Sequence, residues 1–150
     1  MAGDNQLQAT VSWAGESRFL GRSGSNHAVV FDSNKDSGSA PTPMEMLLMS
    51  AGACSSVDVV SILQKAKQQV TACRVELSGE RVDTIPRVFS KIHLHFVVTG
   101  FDVSAKHVER AVNLSAEKYC SVSIMLQQAM TVTHSFAIEQ SELEPATAAE

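Results

Sequence analysis

The sequence predicts an α+β fold in which mainly antiparallel strands are arranged around one long central helix. Three observations carry this. A stretch at residues 42–67, TPMEMLLMSAGACSSVDVVSILQKAK, places apolar residues on every face of a helix. Strand-like runs with a two-residue period lie on both sides of it, at 6–32 and 70–99. Strands and helices are partly segregated, in the order βββ, long α, ββ, αα, β, which argues against regularly alternating α/β units.

Residues 1–5 form a loose start. The first strand covers 6–13, with Leu7, Ala9, Val11 and Trp13 on one face, and Gly15 ends it. Residues 17–21 make a second strand, 24–26 a turn and 27–32 (HAVVFD) a third, so this part is a three-stranded meander. A polar loop at 33–41, SNKDSGSAP, has the composition of a mobile surface connection.

The helix start is marked by Thr42, Pro43 and Glu45. The threonine can cap, the proline suits the first helical position, and the glutamate three residues on closes a capping box. At ~1.5 Å per residue the helix spans roughly 38 Å, about the width of a domain of this size. A helix that is apolar nearly all round is buried nearly all round. A chain of 150 residues is short of material to surround it, so a second subunit is expected to help. Gly52, close to Cys54, allows neighbouring backbone to approach. A membrane span is the rival reading, but Glu45, Asp58, Ser50, Ser55, Ser56 and Ser61 fall inside the stretch. Charges near a bilayer centre are expensive, so no membrane association is expected.

Beyond the helix the period changes to two. Val70, Cys73, Val75 and Leu77 place a strand that runs to about residue 82, and 83–86 is a turn. The clearest strand is 87–99: Val88, Ser90, Ile92, Leu94, Phe96 and Val98 point one way, and Arg87, Lys91, His93 and His95 the other. Ser104 can cap a helix to 118 that buries Val108, Ala111, Val112 and Leu114. Tyr119 and Cys120 stand at its junction with a third helix, 121–129, and 131–138 (TVTHSFAI) is the last strand. Residues 139–150 carry no basic residue and read as a solvated acidic tail. A single domain therefore spans 1–150, with its core at about 6–138.

Hydrophobic residues at 44% and charged residues at 19% describe a globular chain. A net charge of −4 without a basic run argues against nucleic-acid binding. The opening MAGDNQLQAT lacks the basic and apolar regions of a signal peptide, so a cytoplasmic location with reduced thiols is expected. Three cysteines make no disulfide framework and are either core residues or redox groups.

Among residues that could carry chemistry, Cys54 comes first. It lies about three turns into the helix, too far for the helix dipole to lower its pKa. It is either a small buried hydrophobe or a thiol that needs a nearby cation. Cys120, where one helix ends and another begins, is either a junction core residue or a thiol favoured by the local positive potential. Cys73 sits in a strand with no charge nearby and reads as core. His93 and His95 have metal-ligand spacing, but two ligands make no zinc site, and they share their face with Lys91 and Arg87. No metal or cofactor is expected. His27, His107 and His134 are isolated and receive no assignment. Asp58, a carboxylate in an apolar run, is expected to bond a backbone amide or an arginine.

The run from Pro43 to Cys54, with proline eleven positions before a cysteine in an alanine-containing helix, resembles the OsmC/Ohr family. So does Lys118-Tyr119-Cys120-Ser121-Val122-Ser123, which looks like that family's second cysteine motif. The element order matches over about 6–138, and the CSSVDVVSILQK and LSAEKYCSVSIML runs look closest to a YhfA-like branch. The resemblance implies antiparallel sheets around the helix and an intertwined homodimer of bacterial type with sites at the subunit interface. It implies a thiol peroxidase of oxidative stress defence acting on organic, and also inorganic, hydroperoxides. Cys54 would be the peroxidatic thiol and Cys120 the resolving one, closing a disulfide that a dithiol, such as a lipoylated protein, reduces. Arg18, with Arg22 as the alternative, would stabilise the thiolate, and a Glu near the helix start would hold the arginine. Here the Glu position is Met44, and the carboxylate, Glu45, comes one residue later, a ~100° turn on a helix. Ser121 replaces the Pro that commonly follows the second cysteine. The other readings are a non-catalytic dimer that binds a small hydrophobic ligand at the subunit interface, and a redox sensor.

Overall fold

The computed structural model of the protein describes residues 5–142. The chain forms two compact units, Met1–Leu47 and Leu48–Glu150. The first holds an antiparallel meander of β1 (Ala9–Trp13), β2 (Arg18–Ser23) and β3 (Ala28–Asp32), in that spatial order. Gly15 makes the β1–β2 turn with a φ of 93°, a left-handed conformation that glycine adopts without steric cost.

The polar loop after β3 is anchored, contrary to the mobile connection its composition suggests. Asp32, 5% exposed, accepts hydrogen bonds from the Ser17 hydroxyl at 2.6 Å, the Asn34 amide at 2.9 Å and the Ser39 amide at 3.0 Å. The Ser17 hydroxyl, followed by these amides, holds the Asp32 carboxyl well below the usual carboxylate range. One ionised acid thus fastens both ends of the loop, a contact no local composition rule reports.

The long helix, α1 (Pro43–Lys65), begins as expected. The Thr42 amide donates to Glu45 Oε2 at 2.8 Å, and the Glu45 amide donates to Thr42 Oγ1 at 3.3 Å, so the capping box is closed. By length and composition α1 could cross a membrane. Its inward face, however, is that of a packed helix: Ala51, Ser55, Val59 and Leu63 recur every fourth residue and are buried.

The second unit contains the rest of α1 and a sheet in the order β4 (Gln69–Arg81), β5 (Phe89–Phe101), β6 (Thr131–Gln140). β4 and β5 are antiparallel, whereas β5 and β6 are parallel. A parallel pair needs a long crossover. It is supplied by α2 (Ala105–Leu114), a π-helical turn (Ser115–Tyr119) and α3 (Ser121–Gln127). The core is Val59, Leu63, Ile92, Leu94, Phe96, Val98, Val108, Ala111 and Val112, each no more than 2% exposed. Fully burying each large apolar side chain contributes about 1.5–3 kcal/mol.

Two departures from a regular two-residue period have local causes. The register slips between Val70 and Ala72, which accounts for the three-residue step from Val70 to Cys73 on the half-buried face. A second slip, between Glu80 and Arg81, leaves Val88 51% exposed and turns Phe89 inward at 6%. The expected inward phase thus begins at Ile92, not at Val88. β6 also runs past the expected end at 138. Glu139 pairs with Thr99, and its carboxylate accepts from both Nη atoms of Arg74 at 3.1 and 3.2 Å. The acidic tail from 143 onward lies outside the described residues.

Gly52 sits where α1 crosses β4. A Cβ there would lie 2.6 Å from Leu77 Cδ1 and 3.0 Å from Val75 Cγ1, so the tight approach is to side chains and not to backbone. Gly52→Ala gains up to ~1 kcal/mol of helix propensity. Overpacking costs about 1–3 kcal/mol, so a net destabilisation of roughly 1 kcal/mol is expected in denaturant unfolding. A Gly52→Ala protein as stable as wild type would show that Leu77 yields freely.

The described residues of the second unit do not bury α1 all round. Met49 is 46% and Val57 70% exposed, on faces that the second sheet does not cover.

Candidate functional site

The crossover folds so that its two helical ends meet the middle of α1. α2 gives way to the π-helical turn at Ser115, and Cys120 leaves the helical region with φ −74° and ψ 101°. Cys120 is thereby the N-cap of α3, and its Sγ accepts the Ser123 amide at 3.4 Å. Cys120 is fully buried, whereas Cys54 is half-buried, and both are free thiols. The structure brings Cys54 and Cys120 together: each thiol is among the groups that shift the other. The Val122 amide serves Cys54 and the Ser123 amide serves Cys120, so two successive N–H groups each face one sulfur.

Serine hydroxyls complete the site. Ser55 donates to Cys120 Sγ at 3.2 Å and lies 3.1 Å from the Ser123 hydroxyl. Ser115 donates to Asp58 Oδ2 at 3.1 Å, with the Ser55 carbonyl at 3.3 Å. The expected partner of Asp58, a backbone amide or an arginine, is replaced by this hydroxyl. The reason is that the π-turn carries Ser115 against α1.

The two thiols are driven apart. Burial pushes Cys54 up, reinforced by Cys120 and the Asp58 carboxylate and opposed by the Val122 amide. Burial also works against the Cys120 thiolate, but the Ser123 and Ser55 hydroxyls, the Ser123 amide and Cys54 outweigh it and lower this thiol. The Cys54 thiol is thus raised and the Cys120 thiol lowered.

The other singled-out residues stand elsewhere. Arg18 and Arg22 lie on β2 in the first unit. Arg18 Nη2 pairs with Glu16 at 3.1 Å, while its Nε is buried with no hydrogen-bond partner among the described residues. Arg22 Nη1 donates to Asn26 at 2.7 Å. Glu45 is occupied by Thr42, whose amide and hydroxyl lower its pKa. Cys73 is half-buried in β4, and burial alone raises its thiol. His93 and His95 share the Ser135 hydroxyl at 2.8 and 2.7 Å, and His93 also reaches Thr133 at 2.7 Å. Among the described residues no three His, Cys, Asp or Glu side chains are grouped to hold a metal.

Sequence reasoning missed Ser55, Ser115 and Ser123 as site residues. A signal existed for Ser55, whose spacing of four from Ala51 and Val59 puts it on the inward face of α1. A cleft of about 540 Å³ starts beside the pair, at Asp58 and Tyr119, and continues along Ile62, Ala66 and Leu114 to Lys65 and Arg110.

Residues 35–135 match the family model described as OsmC-like protein. The chain is 52% identical to Protein YhfA of Escherichia coli over 132 residues, 88% of this chain and 98% of that protein. A hypothetical protein of Aquifex aeolicus superposes with a TM-score of 0.82 at 31% identity, covering 91% of this chain and 98% of its own. The organic hydroperoxide resistance protein OhrB of Bacillus subtilis shares the fold, with a TM-score of 0.61 at 15% identity over 88% of this chain and 98% of its own. With matches of this extent at the level of both sequence and fold, the chain belongs to the OsmC-like protein family.

Proposed function

We propose that this protein is a thiol-dependent peroxidase that reduces organic hydroperoxides through the pair Cys54 and Cys120. The observation that carries this reading is the meeting of two free thiols from α1 and the crossover, oppositely shifted. The shared fold with organic hydroperoxide resistance proteins of Bacillus subtilis and Legionella pneumophila supports the same class of chemistry. Cys54 is the half-buried, accessible sulfur and takes the peroxide. Its thiolate attacks one peroxide oxygen, the O–O bond breaks, the alcohol leaves, and Cys54 becomes a sulfenic acid. The Cys120 thiolate then attacks the Cys54 sulfur and expels hydroxide, which leaves as water. A dithiol, such as that of a lipoylated protein, returns the disulfide to two thiols. Arg18 is the cation that supports the Cys54 thiolate, with Arg22 as the alternative, and Glu45 serves as the capping-box residue. The protein acts in the cytoplasm. Mass spectrometry after one equivalent of cumene hydroperoxide tests the reading. The expected result is a Cys54–Cys120 disulfide with Cys73 free, and an unreacted protein overturns it.

The active form is a homodimer, a reading supported by the exposed apolar Met49 and Val57 on α1, which the described residues of the second unit leave uncovered. Light scattering at micromolar concentration is expected to give twice the chain mass. A stable folded monomer would refute the dimer.

A second reading draws on the cleft beside the pair. Its apolar lining of Ile62, Ala66 and Leu114 suits a small hydrophobic ligand. On that reading Cys54 stays unreactive toward peroxide, so the same experiment separates the two.

A further inference from the structure

We propose that the reducing thiol attacks Cys54 of the oxidised pair, and that Cys120 departs as a thiolate into a cradle formed by the Ser55 and Ser123 hydroxyls and the Ser123 amide. The inference rests on the pairing of Cys54 with Cys120 and extends it to the return half of the cycle. It assigns Ser55 and Ser123 as positioning residues that act through Cys120.

Access comes first. Thiol–disulfide exchange requires a thiolate to reach one sulfur in line with the other. Cys120 is 0% exposed, whereas Cys54 is half-buried on α1, so an external thiol meets Cys54. The leaving group comes second: exchange runs faster when the departing thiol has the lower pKa. A departing thiolate in a buried place needs hydrogen-bond donors, since an unpaired buried charge is costly.

Ser55 and Ser123 are each 2% exposed, so neither hydroxyl is satisfied by bulk water. The Ser55 hydroxyl points its hydrogen at Cys120 Sγ, 3.2 Å away. Having spent that hydrogen, its oxygen can accept from the Ser123 hydroxyl at 3.1 Å. The Ser123 amide adds a second direct donor to the sulfur at 3.4 Å. Ser115 does not compete, because its hydroxyl is held by Asp58 Oδ2 at 3.1 Å. Among the described residues of its own unit Cys54 has no matching set: burial, Cys120 and the Asp58 carboxylate oppose its charged form, and the Val122 amide favours it.

The step balances. The reductant thiolate forms a bond to Cys54 Sγ, the Cys54–Cys120 bond breaks, and its electron pair leaves with Cys120. The second thiol of the dithiol, once deprotonated, attacks the dithiol's first sulfur, the one bonded to Cys54 in the mixed disulfide. That closes a cyclic disulfide and releases Cys54, which takes a proton from water. Two electrons pass from the dithiol to the cysteine pair.

The test begins from disulfide made with diamide, so it is independent of whether peroxide is the substrate. Oxidised protein is mixed with 2-mercaptoethanol, quenched in acid, alkylated and peptide-mapped. The expected product carries mercaptoethanol on Cys54 and alkyl on Cys120. An adduct on Cys120, or a protein that forms no Cys54–Cys120 disulfide with diamide, overturns the proposal. The cradle is read separately with dithiothreitol. Reduction is expected to slow about threefold for each unit by which Ser55→Ala or Ser123→Ala raises the Cys120 pKa, on a Brønsted coefficient of ~0.5. That pKa is followed by the pH dependence of Cys120 alkylation in the Cys54→Ser background, a readout that a purely structural role would leave unmoved. Ser123→Thr, which keeps the hydroxyl, is expected to restore the rate. If Ser55→Ala does not fold, the Ser123→Ala and Ser123→Thr pair decides. Wild-type reduction rates in the alanine variants that fold overturn the cradle.

Discussion

Cys54→Ser is expected to abolish hydroperoxide consumption, with a fall of at least about 10³-fold, the scale seen when an enzyme loses its nucleophile. A serine hydroxyl cannot form the thiolate on which attack depends. Cys120→Ser behaves differently. Cys120 is among the causes that raise the Cys54 thiol, so its removal takes away a proton-holding neighbour. Cys54 in Cys120→Ser is therefore expected to titrate lower than in wild type, with its first encounter with peroxide undiminished. The variant completes one turnover and then stops, because no thiol remains to resolve the sulfenic acid. Cys54 then proceeds to the sulfinic and sulfonic acids. Peroxide consumption over many turnovers, beside the intact mass of the protein, checks both variants. Sustained turnover by Cys120→Ser would remove Cys120 from the cycle, and residual activity in Cys54→Ser would move the chemistry elsewhere.

Arg18→Ala is expected to slow the reaction of Cys54 with peroxide by at least about tenfold and to leave the fold intact. Burial, Cys120 and Asp58 all work against the Cys54 thiolate, so a productive enzyme needs a cation near it. An arginine within ~4–6 Å lowers the pKa of an anionic group by about 1–3 units. Each unit corresponds to ~1.4 kcal/mol. Arg18 is the choice because its buried Nε has no hydrogen-bond partner among the described residues, whereas Arg22 already donates to Asn26. Loss of the arginine raises the Cys54 pKa, so at fixed pH the thiolate fraction falls, and the rate recovers as pH rises. The pH dependence of Cys54 alkylation in Arg18→Ala and Arg22→Ala measures this. Arg22→Ala is expected to change little. An Arg18→Ala protein that matches wild type in both alkylation and peroxide rate leaves Arg18 as a hairpin residue held by Glu16.

Much of the architecture is legible in local pattern. Strand-like runs, several with a two-residue period, locate the six strands of the described residues, and Thr42, Pro43 and Glu45 locate the start of α1, because these signals arise from residues close in sequence. The two cysteines and their elements are legible as well, since one lies in an unbroken helix and the other at a helix junction. Three features are not. Asp32 fastens a loop through partners as far apart as Ser17 and Ser39. The exchange of Val88 for Phe89 on the inward face follows from a slip in strand pairing, which depends on the partner strand. The serine cradle joins residues more than sixty positions apart, and serine carries no hydrophobic periodicity to announce it. The sequence by itself determined which segments become helix or strand and where the thiols sit along them, because those outcomes rest on steric and burial preferences within a few residues. Only the tertiary structure decided that Cys120 is the buried thiol of the pair and the one with more hydrogen-bond donors. That depends on donors delivered by the packing of α1 against the π-turn and α3.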